Sequence, residues 1–325
     1  MMKKIGVFTS GGDSPGMNAA IRSVVRTALN LGITPYGISR GYHGMVQGDI
    51  FEMDAHSVSN IMQLGGTILR SARSDAFRTP EGRKKAYEML KKNGIEGLVG
   101  IGGDGTLAGA KVFIKEYPDI RFVGLPGTID NDLVGTDYTI GYDTAINTAM
   151  RAIDKIKDTA NSFDRLFFVE VMGRDAGFIA LRVGIATGAE AVLIPESKTD
   201  IDELVHRLRR SSLRRKNSAL VIVAEGDDAG GAFEIARQVK EKGFEQYEIR
   251  VSVLGHIQRG GSPTCMDRML ASRLGMEAIK ALKDGVSGVL VGKKCKDIVY
   301  TPFEKAIKDK QKLNPLLLDI VDLLS

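Results

Sequence analysis

Glycine-rich loops follow short apolar runs and precede helix-spaced segments again and again in this chain, and that repetition restricts its fold more than any other feature. Residues 5–9 read as a buried strand, residues 10–16 (SGGDSPG) as a loop, and Met17, Ala20, Ile21, Val24, Val25, Ala28 and Leu29 keep helical spacing. Ser14 suits an N-cap there and Pro15 the first helical position. The same unit recurs. Strands are expected at 35–39, 95–100, 122–125, 166–171, 191–194, 220–224 and 249–254. Helices are expected at 81–92, 106–116, 145–159, 178–187, 200–210, 232–242 and 267–283, with a helical tail over 303–325. Strands alternating with helices predict doubly wound parallel sheets. With 325 residues, the expectation is an α/β chain of two Rossmann-like three-layer α/β/α domains packed closely together. Ligands in such sheets bind beyond the carboxyl ends of the strands.

Two of these loops carry the chemistry. Residues 125–132 (LPGTIDND) hold two carboxylates two positions apart, a hydroxyl, and glycine and proline to shape the backbone. Asp130 and Asp132 can be aimed at one point, to take a proton or help hold a cation. The composition equally fits an Asx-rich turn whose side chains bond their own backbone. Residues 100–106 (GIGGDGT) place glycines between a strand and a helix start, where outward N–H groups receive phosphate. The loop is not G-x-x-x-x-G-K-[ST] and holds no Lys, so it is not a P-loop, and a G-x-G-x-x-G spacing by itself is weak support for a Rossmann dinucleotide site. Asp104 inside such a loop points to a hard cation bridging to phosphates, most simply Mg2+. Arg70-Ser71-Ala72-Arg73-Ser74 follows Gly65-Gly66-Thr67 and reads either as a phosphate clamp or as an exposed basic loop.

Bulk properties narrow the class. A net charge of +5 with interspersed signs does not call for nucleic acid, and without Trp there is no stacking platform. Cys265 and Cys295 are the only cysteines, which fits reduced thiols in the cytoplasm and excludes a disulfide framework. Four scattered histidines give no zinc spacing. The apolar run before Gly11 is too short for a signal-peptide core, and no stretch approaches the roughly 20 apolar residues of a membrane span. No membrane or nucleic-acid partner is expected.

Five blocks occur together and in order: GGDSPGMN at 11–18, GGDGT at 102–106, PGTIDND at 126–132, MGRDAG at 172–177 and GHIQRGG at 255–261. The set resembles the bacterial-type ATP-dependent 6-phosphofructokinase family over nearly the whole chain, weakening after about Gly285. The resemblance implies transfer of the γ-phosphate of MgATP to the 1-hydroxyl of fructose 6-phosphate. It implies an ATP-binding domain over 1–141 plus about 257–305, and a fructose 6-phosphate-binding domain over about 142–256 plus 306–325. By resemblance Asp130 is the general base, Thr128 lies beside it on the sugar, and Asp132 is the second acid of the catalytic loop. Arg174 and Arg73 match arginines that stabilise the transferring group. Gly12, Arg73, Ser74, Gly103, Asp104, Gly105 and Thr106 match ATP-contacting positions, and Asp104 the Mg2+ ligand. The sugar phosphate is matched by Thr128, Ile129, Asp130, Arg165, Met172, Gly173, Arg174, Glu225, Arg250, His256 and Arg259. In the family the positions of Arg165 and Arg250 reach across from a neighbouring subunit, so a homotetramer with sigmoidal dependence on fructose 6-phosphate is implied.

A second anion site is also implied, at Arg22, Arg26, Lys157, Gly188, Glu190, Arg214 and Lys216, where the family binds ADP or phosphoenolpyruvate. Arg22 and Arg26, read from their helix alone, form a solvated face. The chain departs from the usual pattern at this site: Ala55 stands where an arginine is expected, and Lys157 keeps charge without the guanidinium fork. Pyrophosphate-using relatives carry Asp at the position of Gly105 and Lys at that of Gly127; both are glycine here, which implies ATP. A kinase of NAD or another sugar phosphate would share GGDG without needing the blocks at Met172 and His256. A non-catalytic anion-binding protein would have lost Asp130, Asp104 or Arg174, and all three are present. The basic run 207–216 reads as a solvated helix end rather than a nucleic-acid contact.

Overall fold

Short apolar runs bounded by glycine become strands here because both of their faces are covered, as in a central parallel sheet. The computed structural model describes residues 2–160, 162–213 and 218–324. In chain order it holds β1 (Lys4–Thr9), α1 (Met17–Asn30), β2 (Thr34–Ile38), α2 (Gly41–Gln47), β3 (Ile50–Glu52), α3 (Pro80–Asn93), β4 (Gly97–Gly102), α4 (Asp104–Glu116) and β5 (Arg121–Pro126). There follow α5 (Tyr142–Ala160), β6 (Arg165–Val171), α6 (Phe178–Thr187), β7 (Ala191–Leu193), α7 (Ile201–Leu213), β8 (Ser218–Ala224), α8 (Ala232–Glu241) and β9 (Glu248–Val253). The chain closes with α9 (Cys265–Lys283), β10 (Val289–Lys294), β11 (Asp297–Pro302), α10 (Phe303–Lys308) and α11 (Pro315–Leu324). No helix among the described residues is long and apolar enough to cross a membrane.

The chain divides into two compact units. The first comprises Met1–Ile129, Leu133–Thr144 and Arg259–Gln311; the second comprises Asp130–Asp132, Ala145–Gln258 and Lys312–Ser325. The first holds a seven-stranded sheet of order β11-β10-β5-β4-β1-β2-β3, parallel except for the edge strands β3 and β11. Side chains alternate across it with the period of two that a strand imposes. Ile5, Val7, Val99, Ile101, Val123 and Leu125 face one way and pack on α1 and α9. Phe8, Leu98 and Phe122 face the other way and pack with residues of α2, α3, α4 and α10. The second unit holds the four-stranded parallel sheet β7-β8-β6-β9. There Leu166, Phe168, Val221 and Val223 pack with apolar residues of α7 and α8, while α6 packs on β8 and α11 on α6. Two α/β units built on doubly wound sheets are thus present.

Several local expectations are corrected. Ser14 does not cap α1. The helix starts at Met17, Gly16 occupies the N-cap with φ 108°, and the Ser14 carbonyl accepts the Met17 N–H at 3.2 Å. The left-handed turn at Gly16 delays the helix past Pro15. Asp104, not Thr106, opens α4. The tail is two helices rather than one, because Asn314 accepts the Leu316 N–H and restarts the chain at Pro315. Residues 41–47 form a helix despite their glycines, since Tyr42 stacks on Phe77 at 4.0 Å and donates its hydroxyl to the Thr106 carbonyl at 2.6 Å. The hairpin β10–β11 turns at Cys295, with φ 52°, and carries no Asn-Gly signal.

One buried carboxylate joins distant parts of the first unit. Asp267, in the first turn of α9, is 1% exposed. Its Oδ1 accepts the Gly141 N–H and its Oδ2 the Thr144 N–H, each at 2.8 Å, and the Thr144 hydroxyl also donates to Oδ2. These donors begin α5, whose first N–H groups have no partner within the helix. Burial outweighs the donors and pushes the Asp267 carboxyl up to about 6, from its usual 3.8. The folded chain therefore holds this proton where the unfolded chain has lost it, between about pH 4 and 6. Stability from Asp267 is fully present below about pH 4 and disappears as pH rises through about 6. In denaturant titrations across this range, wild type should gain on Asp267→Asn by on the order of 2–3 kcal/mol as pH falls from 7 to 4. Parallel pH profiles for the two proteins would refute the assignment.

Candidate active site

Strand order determines where the loops of the first unit can meet. From β1 the chain moves to β2 on one side, then returns to place β4 on the other. The loops leaving β1 and β4 therefore begin at a strand reversal, where open α/β sheets bind ligands. Ser10 N–H donates to the Ile101 carbonyl at 3.0 Å, and the Thr106 hydroxyl to the Ser10 carbonyl at 3.1 Å. Gly12 and Gly103–Thr106, expected on ATP, are thus gathered around one crevice. Gly103 is the N-cap of α4 without a capping side chain, and Asp104 is its exposed first residue, with Oδ1 accepting the Gly105 N–H at 2.7 Å. A Cβ placed on Gly105 would meet nothing within 4 Å.

The segment with Arg70 and Arg73 is drawn to the same place. Thr9 donates its hydroxyl to the Arg70 carbonyl at 2.8 Å, and Ser71 donates to the Gly11 carbonyl at 2.6 Å. Arg73 is exposed, and the Ser74 hydroxyl accepts the Phe77 N–H at 3.2 Å. Beyond β5, Thr139 donates to the Thr128 carbonyl at 2.6 Å and pins the catalytic-loop candidate. A Cβ on Gly103 would lie 3.7 Å from Thr128 Cβ, so this loop adjoins the Asp104 loop. Ile129 is fully buried, Asp130 is 7% exposed, and Asp132 is half-buried. Between the two acids Asn131 takes φ 56°, a left-handed turn that asparagine accepts readily.

Arg259 lies on the first of these loops. Its Nη1 is 3.4 Å from the Asp13 carbonyl, and a Cβ on Gly12 would come within 2.5 Å of that nitrogen. Sequence grouped Arg259 with the sugar residues; the structure sets its guanidinium beside Gly12, where a Cβ would require the end of the arginine side chain to shift. Among the described residues no three His, Cys, Asp or Glu side chains gather as a metal cluster. One exposed carboxylate at a helix N-terminus suits a cation that takes its remaining ligands from phosphates and water.

In the second unit, the loops after β6 and β8 are bonded together. Glu225 N–H donates to the Val171 carbonyl, and Glu225 Oε1 accepts the N–H groups of Gly173 at 3.2 Å and Arg174 at 2.6 Å. Arg174 is held at φ 56° with its side chain 59% exposed, and its Nε is 3.7 Å from Asp175. Met172, Gly173, Arg174 and Glu225 thus form one group. His256 sits exposed in a short helical turn after β9. Arg165 and Arg250 lie on the adjacent strands β6 and β9.

The effector-site positions divide between the units. Arg22 and Arg26 are on α1. Lys157, Gly188 and Glu190 are in the second unit, where Lys157 Nζ donates to the Thr187 carbonyl at 2.6 Å and Gly188 ends α6. Glu190 is buried and accepts the Ser211 hydroxyl at 2.8 Å. Arg214 and Lys216 lie outside the described residues. Sequence reasoning missed Glu196, which accepts the Gly177 N–H at 2.9 Å and so closes the Arg174 loop. It also missed Arg83, whose Nε and Nη2 hold Glu116 at 2.7 Å while Nη1 donates to the Phe77 and Arg78 carbonyls just after Ser74. Neither carries a local signal, because the partners are far apart in sequence.

The phosphofructokinase family model matches residues 4–282. The chain is 55% identical over 323 residues to an ATP-dependent 6-phosphofructokinase 2 of Bacteroides thetaiotaomicron, covering 99% of this chain and 98% of that protein. It is likewise 55% identical over 324 residues to an ATP-dependent 6-phosphofructokinase 1 of Thermus thermophilus, covering 100% of each. Among solved structures, phosphofructokinase from Saccharomyces cerevisiae superposes with a TM-score of 0.90 at 38% identity, over 94% of this chain and 45% of that one. A pyrophosphate-dependent phosphofructokinase from Marinobacter aquaeolei shares the fold alone, with a TM-score of 0.83 at 21% identity over 96% of this chain and 86% of that one. Matched by the family model over most of its length and by relatives along all of it, the chain belongs to the phosphofructokinase family.

Proposed function

We propose that this chain transfers the γ-phosphate of MgATP to the 1-hydroxyl of fructose 6-phosphate, releasing ADP and fructose 1,6-bisphosphate, a kinase step of glycolysis. One observation carries the reading: the glycine loops after β1 and β4 converge at the strand reversal, with Asp104 and the α4 N-terminus in the crevice and the Thr128 loop alongside. Phosphoryl transfer asks little covalent chemistry of a protein; it asks for positioning and for positive charge around the moving group. Backbone N–H groups at Gly103 and Gly105, with Gly12, Ser74 and Thr106, receive the nucleotide. Asp104 would hold the divalent cation, Mg2+, which would supply positive charge to offset that of the phosphates. Asp130 takes the proton of the sugar hydroxyl, Thr128 and Ile129 position that sugar, and Asp132 supports the loop. Arg73 and Arg174 stabilise the transferring group.

Met172, Gly173, Glu225, His256 and Arg259 complete the sugar side, together with Arg165 and Arg250. The first unit corresponds to the ATP-binding domain and the second to the fructose 6-phosphate-binding domain. We assign the working form as a homotetramer in the cytoplasm, with ADP or phosphoenolpyruvate acting at Arg22, Arg26, Lys157, Gly188, Glu190, Arg214 and Lys216. Supporting the reading of ATP as donor, Gly105 stands in the first turn of α4 with no neighbour that demands glycine. A small residue kept where packing would accept a larger one fits close approach by a ligand.

The direct test follows fructose 1,6-bisphosphate and ADP with purified protein, fructose 6-phosphate and either MgATP or Mg-pyrophosphate. Turnover with MgATP alone is expected; turnover with pyrophosphate would refute the donor assignment, and none with either would refute the reaction. Asp130→Ser should lower turnover on the order of 100- to 10,000-fold while sparing substrate binding; near-normal turnover removes Asp130 as base. Gly105→Asp should leave the melting temperature close to wild type yet raise the KM for ATP about tenfold or more, equivalent to ~1.4 kcal/mol. An unchanged KM would show that the nucleotide does not approach this position.

A further inference from the structure

Arg165 and Arg250 share one carboxylate. In the parallel pair β6–β9, Arg165 stands opposite Glu248, and Arg250 follows Glu248 by two residues on the same strand. Residues two apart on a strand share a face, and residues in register across strands are neighbours on it. The Glu248 carboxylate therefore lies between two guanidinium groups. Its Oε2 accepts Arg165 Nε at 2.9 Å, and its Oε1 accepts Arg250 Nη2. The other side of the Arg165 guanidinium rests on the Phe163 ring, 4.1 Å from its centroid. These hydrogen bonds, that of Arg165 foremost, hold the Glu248 carboxyl below its usual range, so it is charged at neutral pH.

The arrangement contributes little to the fold. β9 is an edge strand and the Glu248 side chain is 48% exposed, and exposed ion pairs are weak. What it does is present two guanidinium forks already occupied by one carboxylate. A phosphate monoester offers the same forks more oxygens and more charge.

We propose that Glu248 is the internal counter-ion that a sugar phosphate displaces from Arg165 and Arg250, and that it thereby sets the affinity of this pair for phosphate. The proposal rests on the reading of these arginines as contacts of the 6-phosphate. Displacement leaves Glu248 as a like charge beside the bound phosphate. Both the competition and the repulsion weaken binding; when the carboxylate becomes an amide of equal length the repulsion is removed and the competition falls to that of a neutral acceptor.

Glu248→Gln should lower the KM for fructose 6-phosphate about 3- to 10-fold, the scale of one or two exposed ion pairs. The change should appear in the sugar-phosphate KM and not in the KM for ATP. Glu248→Ala serves as the second variant and should shift the sugar-phosphate KM in the same direction. Arg250→Ala is measured in parallel and should raise that KM. If Arg250→Ala raises it while both Glu248 variants leave it unchanged or raise it, Glu248 is an organiser of the arginines and the counter-ion proposal is wrong. If Arg250→Ala has no effect on it, the assignment of the arginines to the 6-phosphate fails, and the proposal fails with it.

Discussion

The reversal of strand order at β1 is the constraint from which the first unit follows. β1 lies between β2 and β4, so helices leaving neighbouring strands must go to opposite faces. They do: α1 packs with Val7, Val99 and Ile101, whereas α4 packs with Phe8, Leu98 and Phe122. Among the described residues no helix spans both strand ends, and their loops are left facing a crevice. Glycine then serves two ends. It lets backbone N–H groups reach a phosphate, and it leaves the α4 N-terminus uncovered. The price is a set of helix starts without local caps.

Distant carboxylates answer that deficit. α6 and α8 both have glycine at the N-cap and no side-chain cap of their own. Glu196 accepts the Gly177 N–H at α6, and Glu170 accepts the Ala232 N–H at 2.8 Å at α8. Asp267 does the same for the start of α5, and Glu225 for the turn at Arg174. Each satisfies backbone donors that a loop without serine or aspartate at the cap would leave to water. The acid comes from another strand or helix, so the cap also ties elements together. A loop that has to remain open for a ligand is thereby held from outside rather than filled from within.

This division explains what was legible in the sequence. The apolar period of two, the helical spacing and the glycine punctuation are local, and they located nearly every strand and helix that surrounds the candidate site. The five motifs placed Asp104, Thr128, Asp130 and Arg174 in loops, and each is in one or at its edge. What escaped is non-local. α2 forms because Tyr42 is buried against Phe77 and bonded to Thr106, contacts that no window of seven residues contains. Arg83 and Glu116 look like ordinary helix-surface charges until their helices are side by side. Asp267 reads as a routine acid in a first turn, where its charge would favour its own helix; its carboxylate is spent on another.

Arginine shows most clearly why charge in a sequence does not identify a site. Arg237 is paired with both Glu234 and Glu241 on its own helix. Arg83 has its guanidinium bonded to Glu116 and to two carbonyls, and is almost buried. Both are committed to the fold. Arg22, Arg26 and Arg73 have no carboxylate within ion-pair distance among the described residues, and a guanidinium in that state has its fork available. Arg165 and Arg250 fall between these classes: paired, but with a half-exposed partner they share. A site for a phosphate needs cations that the fold has not consumed, yet two bare guanidinium groups on adjacent strands repel. A shared, displaceable carboxylate resolves both requirements with one residue, because it neutralises the pair until a better anion arrives.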